Sequence, residues 1–294
     1  MKILLTGGSG FIGRNILDSD LAKKYQIMAP RHTELDLVDD EAVEKFFVKN
    51  RFDVVINAAI KPGHRNAKDA TNLFYTDCRM FFNLMKHSLR YGKLINLSSG
   101  CVYDMQRQNL NKVGEESFGE KIPVDEHGLF RYISGSFIEK MDRAVDLRIF
   151  SIFGKYEDYT IRFISNMICK ALFDLPLTMK QNRKFDFLFV DDLMPVLEYF
   201  IENEPHFKSY NVTPDSALDL YEVAEKVKRF SGKDLPIIVA KEGKGLDYSG
   251  SNDRLRREIS NLKLTNIDDA INKLYDWYSN NKKLINKYFL LFDK

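Results

Sequence analysis

Lys2-Ile3-Leu4-Leu5-Thr6-Gly7-Gly8-Ser9-Gly10-Phe11-Ile12-Gly13 opens the chain and decides how the rest is read. Ile3 to Leu5 is a short apolar run ending in a glycine-rich turn. From there Phe11, Ile12, Ile16 and Leu17 recur at helical spacing. Strand, glycine turn and helix in that order give the Gly7-x-x-Gly10-x-x-Gly13 spacing a mechanism. Gly7 allows a tight turn, Gly10 lets backbone approach a pyrophosphate, and Gly13 lets the helix lie close on the strand. The N–H groups of the first helical turn, at the positive end of the helix dipole, then face phosphate charge. The expectation is a dinucleotide site.

The chain has 294 residues, enough for one large core or one core with a smaller appended domain. A formal net charge of +2 argues against nucleic acid or a membrane as an electrostatic partner. Cys78, Cys101 and Cys169 are an odd set without paired spacing, which fits a reduced, cytoplasmic compartment. The first apolar run is too short, and too soon broken by glycine, for a signal peptide. No apolar stretch reaches membrane-spanning length, no internal repeat is evident, and no metal is expected.

Tyr25 to Ala29 reads as a second strand, whose C-terminal end faces the adenosine ribose in a dinucleotide fold. An NAD-preferring site wants a carboxylate there. The chain instead reads Pro30-Arg31-His32-Thr33, so Arg31 is placed for a 2′-phosphate and NADP is expected, with NAD as the alternative. Asp36, in Glu34-Leu35-Asp36-Leu37, is placed to accept from the adenine amino group. Asp39 to Asn50 reads as a helix, and Asp53 to Ala59 as a third strand buried on both faces. Small Ala58 and Ala59 at its end leave room for a flat cofactor. A long helix is expected over Ala70 to Tyr91, then a strand over Lys93 to Leu97 running into Ser98-Ser99-Gly100-Cys101-Val102-Tyr103. Hydroxyls and a thiol at the end of a parallel strand lie where open α/β sheets bind ligands. Strands alternating with helices four times over predict an α/β fold with a doubly wound sheet.

At this point the chain resembles the extended short-chain dehydrogenase/reductases, a family of nucleotide-sugar epimerases, dehydratases and ketoreductases. The matching pieces are Thr6-Gly-Gly-Ser-Gly-Phe-Ile-Gly13, Val54-Val-Ile-Asn-Ala-Ala59, Leu97-Ser-Ser-Gly-Cys-Val-Tyr103, Leu147-Arg-Ile-Phe-Ser-Ile-Phe-Gly154, Phe185-Asp-Phe-Leu-Phe-Val-Asp-Asp-Leu193, Tyr210-Asn-Val212 and Trp277-Tyr278, in family order. The resemblance implies a Rossmann domain over residues 1–154, with part of 186–215 returning to it, and a smaller nucleotide-sugar domain over 155–294. It implies cofactor contacts from Gly7, Ser9, Gly10, Phe11, Ile12, Gly13, Arg31, Asp36, Leu37, Ala58 and Ala59. Ser99 matches the catalytic hydroxyl of the Ser-x-x-Val-Tyr pattern, which bonds the sugar oxygen as its charge changes. Cys101 falls where the epimerase-reductase members carry an acid/base cysteine; their partner histidine would fall near Arg162, where none is present. Homodimers through helices flanking the sheet are common in the family.

One device departs from the family pattern. Its Tyr-x-x-x-Lys pair shares a helix face, and the lysine charge lowers the tyrosine pKa. The chain reads Phe130-Arg131-Tyr132-Ile133-Ser134-Gly135-Ser136-Phe137-Ile138-Glu139-Lys140. With Tyr132 as the acid, Ser136 stands for the lysine. Anchored instead on Ser134 and Glu139, the register puts Arg131 for the tyrosine and Gly135 for the lysine. Lys140 lies two turns beyond Tyr132, about 12 Å along a helix axis.

Beyond a strand from Asp146 to Phe150, helices are expected over Ile161 to Phe173, Leu193 to Asn203, Leu220 to Phe230 and Ile267 to Tyr288. Asp191 and Asp192 read as ordinary helix-start residues. Tyr210-Asn211-Val212 reads as a strand rejoining the main sheet, and Lys241 to Ser251 as a polar loop. Arg183 and Lys184, with Arg162, are the candidate contacts to a nucleotide diphosphate. The expected activity is an NADP(H)-linked oxidoreductase or epimerase acting on a keto-sugar carried by a nucleotide, with Ser99 holding the oxygen and Tyr132 as proton donor. The alternatives are a relative that binds NAD(P) without turnover, and a 4,6-dehydratase or epimerase with tightly held NAD.

Overall fold

Ile3, Leu4 and Leu5 are all fully buried, so the first strand needs cover on both of its faces. The computed structural model, which describes residues 1–64 and 66–291, meets that need with a doubly wound sheet. Its first half runs β1 (Lys2–Thr6), α1 (Phe11–Leu17), α2 (Leu21–Lys24), β2 (Gln26–Met28), α3 (Asp40–Lys49), β3 (Phe52–Asn57), α4 (Leu73–Lys86), β4 (Tyr91–Ser99), β5 (Leu110–Val113), α5 (Glu126–Ile138) and β6 (Ala144–Ile149). The second half runs β7 (Ile152–Phe153), α6 (Phe163–Leu172), β8 (Leu177–Asn182), β9 (Lys184–Phe185), β10 (Leu188–Phe189), α7 (Leu193–Glu202), β11 (Ser209–Val212), β12 (Leu218–Asp219), α8 (Leu220–Ser231), β13 (Ile237–Lys244), β14 (Tyr248–Gly250), α9 (Asp253–Glu258) and α10 (Ile267–Asn280).

Six parallel strands lie in the order β11-β6-β4-β3-β1-β2. The sheet grows one way from β1 to β2 and the other way from β3 onward, so the β1/β3 boundary is the switch point where such sheets bind ligands. On one face Leu5, Ile56 and Ile95 pack with Ile16 of α1 and with Val196 and Phe200 of α7. On the other, Leu4, Val55 and Leu94 pack with Phe47 of α3, Phe81 of α4 and Phe130 of α5. A second core joins Ile168 of α6, Val223 of α8, Ile271 of α10 and Leu177 of β8. Helix starts are capped by local chemistry: Asp39 accepts from the Ala42 amide, and Asp125 from the Gly128 amide.

Toward the C-terminal end of the sheet, the α4/α5 face is polar, although it is buried. Thr6, Asn57, Asn96, Asp146 and Ser209 stand opposite one another on five neighbouring strands. Thr6 Oγ1 donates to Asn57 Oδ1 at 2.7 Å, Asn57 Nδ2 to Asn96 Oδ1 at 2.9 Å, and Asn96 Nδ2 to Asp146 Oδ1 at 2.7 Å. Arg148, fully buried, donates from Nε to Asp146 Oδ2 at 3.2 Å, from Nη1 to Tyr103 Oη at 3.0 Å and from Nη2 to Glu139 Oε1 at 3.3 Å. Tyr103 Oη passes its hydrogen to Asn211 Oδ1 of β11 at 2.8 Å. Each group satisfies its neighbour, which is what makes burial of so many polar atoms tolerable.

Several expected elements differ. The helix expected to reach Tyr91 stops at Lys86, and Tyr91 is the first residue of β4, its phenol donating to the Leu84 carbonyl at 3.2 Å. The left-handed Asn72, with φ 52°, sets the start of α4. Lys241 to Ser251 is not a loop: it contains half of β13 and all of β14. β13 pairs along β8 with mostly exposed side chains, so backbone bonding holds it and no apolar alternation marks it. The last helix ends at Asn280, where the Asn281 side chain turns back to the Trp277 carbonyl at 2.8 Å, and Tyr288 is exposed. Asp192 stands at the start of α7 as expected, but among the described residues its side chain makes no cap bond; it accepts from the Thr265 amide at 3.0 Å and hydroxyl at 2.6 Å, tying α7 to the chain ahead of α10. No helix among the described residues is long and apolar enough to cross a membrane.

Replacing Arg148 with methionine leaves Asp146 buried without its cation. Urea titration should show a loss of about 3–5 kcal/mol, and a loss below about 1 kcal/mol would mean that the row bears little of the fold.

Candidate active site

The turn after β1 is built by steric exclusion. Gly7 has φ +70°, and a Cβ there would lie 2.6 Å from the Ala58 carbonyl oxygen, across the switch point. A Cβ at Gly13 would lie 2.3 Å from the Gly7 oxygen. The Gly10 amide closes the turn on that same oxygen at 3.0 Å. Among the described residues no side chain caps α1 at Gly10, so the amides that follow keep their hydrogens for another partner. These features fit a dinucleotide pyrophosphate held by backbone.

The remaining expected cofactor residues are near one another in part. Ser9 is exposed, Phe11 packs toward the second core and Ile12 toward the first. Thr6 Oγ1 accepts from the Ala59 amide at 3.3 Å, fixing the end of β3 beside the glycine turn. Arg31 is exposed and its side chain has no partner among the described residues, while its amide donates to Glu34 Oε2 at 2.7 Å. Asp36 accepts from the Val38 amide at 2.9 Å and faces His32 Nδ1 at 3.6 Å. Leu37 is buried under α3 and α4, so only its backbone is on offer to a ring.

At the end of β4, Ser99 is half-buried and accepts from the Cys101 amide at 3.3 Å. Cys101 itself is buried, and that burial pushes its thiol up to about 11. Tyr248 of β14 reaches in from the far end of the chain, its Oη 3.5 Å from Ser99 Oγ. Its ring packs on Phe150 at 4.9 Å and on Phe185 at 5.4 Å, and the Arg183 guanidinium lies 4.6 Å over the Phe185 ring. An aromatic strip therefore joins Ser99 to Arg183, which is half-buried and has no carboxylate partner among the described residues. Burial lowers the Arg183 pKa, so an anion beside it would relieve a desolvated charge. Lys184 and Arg162 are exposed.

Helix α5 carries the segment where the tyrosine and lysine of the family device are expected. Arg131, not Tyr132, faces the sheet: it is buried and donates from Nη1 to the Leu97 carbonyl at 2.8 Å. Tyr132 is half-buried with its ring 5.2 Å from that of Phe118, and its phenol has no partner among the described residues. A Cβ on Gly135 would meet Phe118 at 3.2 Å and Asp146 Oδ2 at 3.3 Å. Lys140 lies past the helix end and is exposed. Near Arg131, Asp77 of α4 accepts from the Lys61 amide at 2.7 Å, and its other oxygen lies 4.0 Å from His127 Nδ1. Burial pushes Asp77 up to about 6 and His127 down to about 4.

Tyr248, Asp77, His127 and the polar row were not singled out from sequence. The row has a trace there, since Thr6, Asn57 and Asn96 each stand near the end of an apolar strand. Tyr248 has none, because the strand carrying it is three residues long.

The model of the NAD dependent epimerase/dehydratase family matches residues 3–213. A 106-residue stretch is 38% identical to the GDP-L-fucose synthase of Azorhizobium caulinodans, covering 35% of this chain and 34% of that one. The GDP-L-colitose synthase of Yersinia pseudotuberculosis is 24% identical over 226 residues, 69% of this chain and 73% of that one. Among solved structures, the GDP-mannoheptose C4 reductase of Campylobacter jejuni, with NADP bound, shares the fold with a TM-score of 0.79 at 20% identity, over 95% of this chain and 98% of that one.

Burial also pushes Asp186 and Glu157 up to about 7. With Asp77 they keep a proton in the folded state that the unfolded chain has already lost, and although His127 offsets one of the three between about 4 and 6.5, stability should fall as pH rises between about 4 and 7. The slope is about 1.4 kcal/mol per pH unit for each group. Denaturant titrations across that range should show the decline, and Asp186→Asn should flatten it; an unchanged slope in the variant would show that Asp186 is ionised throughout.

Proposed function

This chain belongs to the NAD dependent epimerase/dehydratase family, and on that premise we propose that it is an NADP(H)-linked oxidoreductase reducing or epimerising a keto-sugar carried on a nucleotide diphosphate. The observation that carries the reading is the position of Ser99: a half-buried hydroxyl at the C-terminal end of β4, joined by packed rings to a half-buried cation that lacks a carboxylate.

In this reading the glycine turn holds the pyrophosphate, Ala58 and Ala59 border the adenosine, and Arg31 takes the 2′-phosphate. When bound, the nicotinamide supplies the hydride. Ser99 donates a hydrogen bond to the carbonyl oxygen, where negative charge grows as the carbon is reduced. Arg131 supplies fixed positive charge from α5, and Tyr132 keeps a phenol available as proton donor. Arg183 holds the diphosphate, with Arg162 and Lys184 at the rim. Because Cys101 stays a thiol near neutral pH and no histidine stands at Arg162, reduction is favoured over epimerisation. The sugar domain over 155–294, a homodimer through α4 and α5, where Tyr75 and Phe137 are exposed, and a cytoplasmic setting, suited to three free cysteines, complete the proposal.

A second reading, a relative that binds the cofactor without turnover, is favoured by Gly135 and Ser136 standing where the family lysine belongs. The test is consumption of NADPH with GDP-4-keto-6-deoxymannose and its UDP- and dTDP-linked counterparts. Turnover is expected, with kcat falling about 10²–10³-fold in Ser99→Ala, and with KM rising about tenfold at nearly constant kcat in Arg183→Ala. No consumption across the panel by folded protein that binds NADPH would select the second reading.

A further inference from the structure

Tyr248 is held in place from both sides. β14 pairs in parallel with β5 and with β9, setting Tyr248 opposite Leu110 and Phe185, and the ring is clasped by Phe150 and Phe185. Its phenol reaches Ser99 because residue 100 is glycine: a Cβ there would lie 2.7 Å from Tyr248 Oη and 2.6 Å from the Phe150 ring. The space above Gly100 is filled by a hydroxyl carried from the other half of the chain.

Hydrogen-bond accounting fixes the polarity of this contact. A serine hydroxyl has one hydrogen and two lone pairs. The Cys101 amide occupies one lone pair of Ser99 Oγ. Tyr248 Oη is buried, and among the described residues Ser99 is its one hydrogen-bond partner. If Ser99 donated to the phenol, the phenol hydrogen would be left buried without an acceptor, which is costly. The phenol therefore donates, and both lone pairs of Ser99 Oγ are taken. Burial pushes the Tyr248 phenol well up, so that hydrogen stays in place at any working pH. Ser99 keeps no free acceptor, and its hydrogen, which otherwise faces the weakly accepting Cys101 thiol, is left for a stronger acceptor on the ligand.

We propose that Tyr248 is a positioning residue that makes Ser99 a pure hydrogen-bond donor toward the ligand, so that the site prefers a carbonyl to a hydroxyl at the reacting carbon. A carbonyl oxygen only accepts and matches Ser99 completely. A hydroxyl brings its own hydrogen, which Ser99 cannot accept. The inference rests on the proposed function, in which Ser99 faces the reacting oxygen, and it adds a direction: the ketone is held and the alcohol is released.

The experiment is calorimetric binding to the full chain saturated with NADP⁺, which has no hydride to give. GDP-4-keto-6-deoxymannose and GDP-mannose are titrated into wild type, Tyr248→Phe, Ser99→Ala and the double variant, beside NADPH kinetics. Tyr248→Phe keeps the ring packing and should melt within a few degrees of wild type. The preference for the keto compound should fall about tenfold, and kcat should fall by a similar factor with KM moving less. In the Ser99→Ala background, Tyr248→Phe should have no further effect. If Ser99→Ala is costly but Tyr248→Phe is harmless, or adds its full effect in the double variant, the role of Tyr248 is overturned while that of Ser99 stands. If Ser99→Ala changes neither binding nor turnover, the role of Ser99 fails, and this inference with it.

Discussion

The close approach of three backbone segments, at Gly7, Gly13 and Ala58, is the constraint on which the rest depends. No side chain fits between them: a Cβ on Gly7 or Gly13 would enter carbonyl oxygens at 2.6 and 2.3 Å. That exclusion brings the start of α1 onto the end of β1, and both onto the end of β3, at the point where the sheet reverses its growth. Amides rather than side chains then line the turn, which is the chemistry a pyrophosphate needs. The cost is local rigidity, and Thr6 helps to carry it by joining Asn57 and the Ala59 amide.

From Thr6 the same row of side chains continues across the sheet to Asn211, linking the cofactor turn to the far edge strand. Ordinary doubly wound sheets are apolar at this depth. Here the polar end gives Arg148 a fixed position above the strands and holds β11, whose partner β6 leads into the second half of the chain. The second half returns the contact through Tyr248. The two halves therefore meet at a hydroxyl pair as well as at a hydrophobic boundary, and geometry at Ser99 depends on residues about 150 positions apart.

Most of the architecture could be read directly from the chain because its signals are local. The apolar runs at Ile3–Leu5 and Val54–Ile56, the glycine spacing, and the Asp39 cap each act within a few residues. The candidate site was legible where it follows a strand end, as at Ser99 and Cys101. It was not legible where the deciding partner is remote. Lys241 to Ser251 reads as polar loop because β13 lies exposed and β14 is short, yet β14 carries Tyr248. The helix α5 is a different case: its sequence has Ser136 four residues after Tyr132, but only packing shows that Arg131 takes the inward position and Tyr132 the outer one.

In the proposed function, Ser99 and Arg131 face the oxygen that becomes negative while Arg183 faces the diphosphate, so fixed donors and cations meet the charge at both ends of the substrate. All of it presupposes that the amino-terminal turn holds a nicotinamide dinucleotide. Titration calorimetry with NADPH and NADH on wild type and on Gly13→Ala tests that most directly. The account predicts a single site for NADPH, tighter than for NADH, and its loss in the variant. Binding of neither coenzyme to well-folded wild-type protein would contradict it.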